Sequence, residues 1–206
     1  ELRVPESCMA SDGKKLSSDF KHEIESSVRQ AVKNIGYEQE GYHWENMIVE
    51  NHLHGQSPDI AMGVDAGDNK EEGAGDQGIM FGYACNETPE FMPMSLHYSH
   101  RILEKYAELR KDGTLPWAYP DAKSQVTIEY VDGKPKRVHA VVISAHHAKG
   151  KDQVELAEEL RSRVVDAVIP NEWIDENTQF HFNPTGKFEI GGPVGDCGLT
   201  GRKIIV

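Results

Sequence analysis

The sequence predicts an α+β fold in which helices pack on one face of mixed sheets. Stretches with helical periodicity alternate irregularly with stretches of strand periodicity, and a hairpin signal joins two of the strands. No regular strand–helix–strand repeat is visible, which disfavours a purely parallel sheet. At 206 residues with 38% hydrophobic content, the chain can bury a sizeable core in one large domain or two smaller ones.

The first quarter of the chain predicts one helix and one strand. Ser18 and Asp19 are N-cap candidates and Gly36 is a typical helix end, so residues 19–35 are predicted to be helical. Residues 46–53 have an apolar centre and are predicted to form a strand. The helix carries an apolar stripe that we expect to be buried on a sheet, namely Phe20, Ile24, Val28, Ala31, Val32 and Ile35.

Residues 55–72 predict a long loop beside a glycine-rich stretch. They show little periodicity and contain many Gly, Asp, Pro and Glu residues. A loop of this length inside a compact domain usually carries function or is disordered. We interpret it as a lid that closes over a bound ligand and excludes water.

Two further helices are predicted in the second half of the chain. One begins at Pro93 and runs to about Lys111 before Gly113, and the other covers residues 152–169 before Pro170. Their predicted inward faces are Leu96, Ile102, Leu103, Tyr106 and Leu109 in the first, and Val154, Ala157, Leu160, Val164 and Val168 in the second.

The remaining periodic segments predict strands. Residues 125–130 and 138–144 alternate around Asp132-Gly133, which predicts a hairpin whose loop is longer than two residues. Gln179–Phe182 is predicted as a short strand.

The composition excludes several classes of partner. A net charge of -12 disfavours nonspecific nucleic-acid binding, which needs a basic face. No stretch approaches the apolar length of a membrane span, and no signal peptide is visible. Cys8, Cys85 and Cys197 are odd in number and lack metal-ligand spacing, so they suit a reducing cytosol. We therefore predict a cytoplasmic protein without nucleic-acid or membrane partners.

The glycine-rich stretch at residues 73–83 reads Gly-Ala-Gly-Asp-Gln-Gly-Ile-Met-Phe-Gly-Tyr. Glycines let backbone amides approach a ligand closely, and the framed Asp76 could bind a hydroxyl, an ammonium or a metal. The composition alone favours a simple glycine-rich turn into a buried strand or helix. The spacing matches neither the dinucleotide fingerprint nor the P-loop.

Three further stretches occur in order with it. They are residues 55–60 (Gly-Gln-Ser-Pro-Asp-Ile), residues 120–126 (Pro-Asp-Ala-Lys-Ser-Gln-Val) and residues 191–203 (Gly-Gly-Pro-Val-Gly-Asp-Cys-Gly-Leu-Thr-Gly-Arg-Lys). Together, the four stretches resemble signatures of the S-adenosylmethionine synthetases (methionine adenosyltransferases), and the resemblance runs over nearly the whole chain.

The resemblance implies an architecture of three similar α+β units with pseudo-threefold symmetry. Residues 1–54 would then be the remainder of the N-terminal domain and 55–72 the active-site lid. Residues 73–190 would form the central domain and 191–206 the start of the C-terminal domain. The implied substrates are ATP and L-methionine, the implied cofactors are Mg²⁺ and K⁺, and the protein would self-associate as a homodimer or homotetramer.

The resemblance also implies roles for individual residues, each of which has a plainer alternative. Lys123 is otherwise a solvated lysine at a strand start, Asp196 a turn acid and Phe188 a core residue. The implied catalytic residues are Asp76, Lys123, Arg202 and Lys203. The implied ATP-binding residues are Asp121, Ala122, Lys123, Lys187, Phe188, Asp196, Arg202 and Lys203. The implied methionine-binding residues are Glu1, Gln56 and Asp196, with no metal ligand in this chain.

One implied position departs from the family. Lys187 stands where bacterial members commonly have arginine, and lysine keeps the charge but lacks the planar fork that binds an anion through two donors. No bidentate role is therefore expected there.

The histidines offer a weaker alternative site. His52 and His54 would share one face of the predicted strand and could chelate a metal, whereas His146 and His147 would face opposite ways. No third ligand has a suitable spacing, so a metal site is disfavoured. The catalytic histidine of the family belongs to an N-terminal His-Pro-Asp-Lys motif that has no counterpart in this sequence.

The ends of the chain predict a fragment. It begins at Glu1 without an initiator Met and stops on Ile204-Ile205-Val206, which is typical of mid-strand. Because the first motif and most of the C-terminal domain are missing, we expect the chain alone to be inactive. The alternatives are a folded dimerisation or interaction module derived from the same family, and a generic nucleotide-binding protein.

Overall fold

The structure, a computed structural model, describes residue 10, residues 16–53, residues 81–196 and residue 198. The chain divides into two compact units, Glu1–Phe81 and Gly82–Val206. Of the described helices, none combines the length and apolar character that a membrane-crossing helix needs.

Helix α1 of the first unit spans Ser18–Ile35. Its N-cap is Ser17, whose side-chain oxygen accepts from the backbone N–H of Phe20 at 3.3 Å. The predicted cap pair Ser18 and Asp19 was therefore one position late, because Ser17 supplies the oxygen that the first turn needs. The predicted end is confirmed, since Gly36 ends the helix in the left-handed conformation with φ of 100°.

The expected burial of α1 on a sheet is wrong for the described structure. No residue of α1 is buried, and Val28 and Ile35 are 38% and 47% exposed. The strands that the structure describes in this unit are β1, Glu38–Gln39, and β2, Tyr42–His43, and each has two residues. Such short strands cannot cover a helix face of this length.

The predicted strand at residues 46–53 is also wrong, because that segment is irregular. Pairing occurs earlier, where β1 and β2 form an antiparallel hairpin. After it, the N–H groups of Asn46 and Met47 both donate to the carbonyl of His43, which closes a turn. The side chain of Arg29 donates to the carbonyls of Trp44 and Glu45, both at 2.9 Å. These contacts provide backbone carbonyl groups with hydrogen-bond donors although the segment does not pair with another strand.

The second unit has an α+β fold, which confirms the predicted class. Strand β3, Ala118–Val131, is antiparallel to β4, Lys134–His147, and β4 is parallel to β5, Gln179–Phe182. In the described part of the chain this mixed sheet has the order β3–β4–β5. Helix α2, Met94–Lys111, begins after Pro93 as predicted. The pseudo-threefold arrangement and the domain boundaries stay predictions.

One continuous core holds this unit together. Each large apolar side chain that it buries contributes about 2 kcal/mol before the entropy cost of folding is subtracted. The core includes Ile102, Tyr106 and Leu109 of α2, Val126 of β3, Val138, Val141 and Ile143 of β4, and Leu156, Leu160, Val164, Val165 and Ile169 from the segment 152–169.

The β3–β4 hairpin has a shorter loop than predicted. Val131 pairs with Lys134, so only Asp132 and Gly133 lie between the strands. Both have positive φ, 51° and 73°, which is the backbone of the tight turn favoured by the twist of a hairpin. The aspartate–glycine pair therefore closes the loop by itself.

The helix predicted at residues 152–169 contains a wider segment. Asp152 caps α3, Gln153–Glu159, and a π-helical segment, Leu160–Val165, leads into α4, Asp166–Val168. The wider turn keeps residues spaced by four and five on the core side. The inward position predicted for Val154 is wrong, since this residue is 68% exposed. It precedes the buried Leu156 by two residues, which is about 200° around an α-helix.

Candidate functional site

The candidate site lies where β3 begins and β4 ends. Ala118 pairs with His147 and Ala122 pairs with Ala145, so residues 119–121 lie opposite the single residue His146. Such a bulge interrupts the ladder and re-aims the side chains it contains. The phenol of the buried Tyr106 braces it from α2, donating to the carbonyl of Tyr119 at 2.9 Å and lying 3.3 Å from that of His146.

Asp121 is the first predicted site residue in this bulge. One of its carboxylate oxygens accepts from the backbone N–H of Gly192 at 2.8 Å. Gly192 begins a 3-10 turn, Gly192–Val194, and its carbonyl accepts from the N–H groups of Gly195 and Asp196, both at 3.0 Å. Asp121 and Asp196, which are far apart in sequence, are thus linked through one residue.

Phe188 joins the same end of the sheet. Its N–H donates to Nε2 of His147 at 2.9 Å, and its carbonyl accepts from the N–H of His147 at 3.0 Å. Its ring stacks on that of His146 with 5.3 Å between centroids and 27° between planes. The ring of Tyr119 packs edge-on against the same His146 ring, with 4.8 Å between centroids. Phe188 lies in a loop and is half-buried, so it is not a core strand residue.

Gly191 is required by the close packing of these rings. A Cβ atom on this residue would lie 2.7 Å from Cε2 of Phe188 and 2.8 Å from Cγ of His146. Real Cβ atoms do not approach other heavy atoms so closely, and any side chain here would displace the stack. The glycine pair at 191–192 therefore serves two contacts, one with the rings and one with Asp121.

Lys123 lies near the bulge but on the exposed face of β3. On one side of it Ala122 packs on the core, and on the other Ser124 donates to the carbonyl of Ser99 at 2.6 Å. Alternation along a strand sends Lys123 to the opposite face. Among the described residues it forms no ion pair, so its ammonium is available to an anion. The packing of Ala122 on the core turns its methyl group away from that face.

Lys187 already has a partner. Its ammonium lies 3.4 Å from a carboxylate oxygen of Glu189, whose other oxygen accepts from the N–H of Gly150 at 3.0 Å. The hydrogen bond from Gly150, with the nearby Lys187, lowers the pKa of Glu189. An anion that binds Lys187 must therefore compete with Glu189.

Several predicted residues belong to parts of the chain beyond the described residues. Glu1, Gln56, Asp76, Arg202 and Lys203, the lid at 55–72 and His54 lie outside the described residues. The expectation that His52 lies on a strand is wrong, since it is in irregular backbone beside Glu50. Within residues 16–53 and 81–196, no group of three His, Cys, Asp or Glu side chains could hold a metal ion.

Sequence reasoning did not assign His146 and His147 to this cluster. Both rings are buried, together with Ala145, so three consecutive residues are inside although a regular strand buries alternate ones. The bulge produces this change, and no local sequence signal predicts it. The contacts with Phe188 join residues about forty positions apart in sequence.

Burial governs the protonation of His146. The side chain is 2% exposed and Nε2 lies 3.3 Å from the carbonyl of Glu189. Burial lowers the pKa of His146, and the hydrogen bond to Glu189 and the charge of Asp121 oppose this shift only in part. Burial therefore favours the neutral form of this ring more than it is favoured in an exposed histidine.

We expect His146 to make the protein less stable as the pH falls below about 6.5, the ordinary pKa of histidine. In the folded protein the pKa lies lower, so the unfolded state binds more protons in this window. The free energy of unfolding therefore decreases as the pH falls through it. Urea titrations at about pH 7.5 and about pH 5.5 measure the decrease.

The variant His146→Gln should lose this part of the pH dependence, whereas His181→Gln, whose side chain is exposed on β5, should keep it. The pKa values of Glu159 and Glu189 are lowered, so the stability that these two carboxylates contribute is lost only as the pH falls below their ordinary value of 4.5. That range lies below the pH window in which His146 acts. An unchanged pH dependence in His146→Gln would contradict the prediction.

Comparisons of this chain with a family model and with curated proteins both find S-adenosylmethionine synthetases. A family model described as "S-adenosylmethionine synthetase, central domain" matches residues 71–188. S-adenosylmethionine synthase of Erythrobacter litoralis is 58% identical over 187 residues, covering 89% of this chain and 46% of the relative. That of Hyphomonas neptunium is 60% identical over 186 residues, covering 89% and 47%. The chain spans about half the length of the curated relatives it matches.

Proposed function

Because this chain belongs to the S-adenosylmethionine synthetase family, we propose that the whole protein makes S-adenosylmethionine from ATP and L-methionine. In this reaction the methionine sulfur attacks the ribose 5′ carbon and displaces tripolyphosphate, which is then hydrolysed to pyrophosphate and phosphate. The observation that carries the proposal is the meeting of Asp121, Phe188 and Asp196 at one end of the sheet.

This reaction requires the protein to position the two substrates and to stabilise developing charge. Sulfur is itself the nucleophile, so the side chains must align it with the carbon and balance the charge that develops on the leaving phosphates. Phe188 would stack on the adenine, which contributes about 1–3 kcal/mol for bases on aromatic side chains in other proteins. Lys123 would place an ammonium on the phosphates, with Arg202 and Lys203 as further cations.

The hydrogen bonds in the cluster suggest different roles for its two aspartates, Asp121 and Asp196. One oxygen of Asp121 is used to hold Gly192, so this carboxylate would fix the turn that presents Asp196. Asp196 is exposed and could meet both the nucleoside and methionine. Lys187 would contribute only after separating from Glu189. Glu1, Gln56 and Asp76 would complete the methionine side of the site.

For the whole protein we propose Mg²⁺ and K⁺ as cofactors, on the family resemblance alone. Among the described residues, no group of three His, Cys, Asp or Glu side chains could hold a metal ion. We likewise propose a cytoplasmic homodimer or homotetramer. We expect that the 206-residue chain alone does not form S-adenosylmethionine.

The test is to incubate the purified full-length protein with ATP and methionine and to measure S-adenosylmethionine, pyrophosphate and phosphate. We expect all three products, and none of them when methionine is omitted. ATP binding that is indifferent to methionine, with no product, would favour a generic nucleotide-binding protein. Stable self-association without ATP binding would favour an interaction module.

A further inference from the structure

The loop that carries Phe188 is fixed to β4 from two sides. His147 binds both backbone polar groups of Phe188, accepting from its N–H through Nε2 and donating to its carbonyl from the main chain. His146, the preceding residue, lies under the ring of Phe188 and reaches the carbonyl of Glu189. Two consecutive histidines thus determine both the backbone position and the ring plane of one loop residue.

The hydrogen bonds of His147 define its protonation form. Nδ1 lies 3.0 Å from the carbonyl of Ala148, which can only accept, so Nδ1 carries the hydrogen. Nε2 then accepts from the N–H of Phe188 and from the amide of Gln153 at 3.2 Å. The side chain oxygen of Gln153 accepts in turn from Asn183 at 3.3 Å, which fixes the orientation of the amide. The acceptor atom cannot be supplied by an aliphatic side chain.

The environment of the Phe188 ring leaves one face for a ligand. His146 covers one face, and Gly191 lies so close to the ring edge that it leaves no room for a Cβ atom. The residue is half-buried, so the described residues do not enclose it completely. A planar group that stacks on this ring must use the face opposite His146.

We infer that His146 and His147 are positioning residues that hold Phe188 so that one ring face receives the purine of the substrate. The inference rests on the proposed function for the identity of the ligand. In this inference both histidines act through Phe188, with which they form the contacts described above. Their loss should weaken binding of the purine and leave recognition of the phosphates intact.

The test compares two ligands in the full-length protein. Isothermal titration calorimetry measures the dissociation constants for a non-hydrolysable ATP analogue and for inorganic tripolyphosphate, which has no purine. His147→Leu removes the acceptor, and His146→Ala removes the stacked ring. We expect each to weaken binding of the ATP analogue about tenfold and to raise the KM for ATP more than it lowers kcat. Tripolyphosphate should bind within about twofold of its wild-type affinity.

Conservative variants separate positioning from a general structural role. His147→Gln keeps an acceptor near Nε2, and His146→Phe keeps a stacked ring, so both should restore most of the affinity for the ATP analogue. His181→Leu changes a side chain that is exposed on β5 and should change neither dissociation constant. If His147→Leu does not fold, the pair His146→Ala and His146→Phe decides the question.

Two results would overturn the inference. One is an equal loss of affinity for both ligands, and the other is unchanged binding of the ATP analogue in His147→Leu and His146→Ala. Wild-type protein that binds both ligands and forms product would uphold the proposed function in either case. A wild-type protein that binds neither ligand would instead refute the proposed function itself.

Discussion

Lys123→Ala in the full-length protein is expected to lower kcat/KM for S-adenosylmethionine formation by about 100-fold to 1,000-fold, as loss of one donor to a developing anion does elsewhere. The side chain is exposed on β3 and forms no ion pair among the described residues, so its removal leaves the fold intact. The loss would reflect a missing charge on the leaving phosphates. Steady-state kinetics with ATP and methionine measure it.

Lys136→Ala is the matched control, because Lys136 is also an exposed lysine in the same hairpin. Its kcat/KM should stay within about twofold of wild type, as for a surface charge outside the site. Lys123→Arg should recover part of the activity, since the charge is kept with a different shape. Equal kinetics for Lys123→Ala and Lys136→Ala would show that Lys123 has no role in catalysis.

Asn183→Ala is expected to lower the free energy of unfolding by about 3 kcal/mol. Asn183 is 5% exposed and follows β5 with a positive φ of 43°. Its Oδ1 accepts from the N–H of Ala145 at 2.8 Å, and Nδ2 lies 3.2 Å from the carbonyl of Ala145. Alanine would leave both groups of Ala145 without these partners and would also strain the backbone. Equilibrium urea unfolding measures the loss.

Asn183→Gly separates the two causes. Glycine accepts a positive φ without strain but lacks the side chain, so its loss should be smaller than that of alanine by about 1 kcal/mol. Asn183→Asp keeps the acceptor for the N–H of Ala145, but its second oxygen would face the carbonyl of Ala145 in a buried site, so its loss should be at least as large as that of glycine. Stability unchanged in both Asn183→Ala and Asn183→Gly would refute this account.

Sequence patterns predicted the elements of the second unit where local chemistry decides them. Pro93 and Gly113 bound α2, and Gln179–Phe182 is the strand expected from its composition. The widened helix was not predicted, because its spacing depends on which residues the sheet can cover. In the first unit, periodicity identified the apolar face of α1 but could not tell what would cover it.

The candidate site shows a similar division. The family resemblance selected Asp121, Phe188 and Asp196, and the described structure links them through Gly192 and the loop before it. The histidines that hold Phe188 could not be selected, since their burial depends on a bulge between strands. The catalytic and ligand-binding roles of the residues remain predictions for experiment.

The bulge at residues 119–121 has a consequence for how β3 can change in evolution. Beyond it, inserting or deleting one residue in the regular ladder would exchange the inner and outer faces of the strand. Within it, Tyr119 and Asp121 are held by Tyr106 and Gly192 and not by the ladder, so a change of length there would misplace these contacts while Val126 keeps its place inside. An insertion or deletion in β3 is thus expected to disturb either the core or the candidate site, depending on whether it falls beyond the bulge or within it.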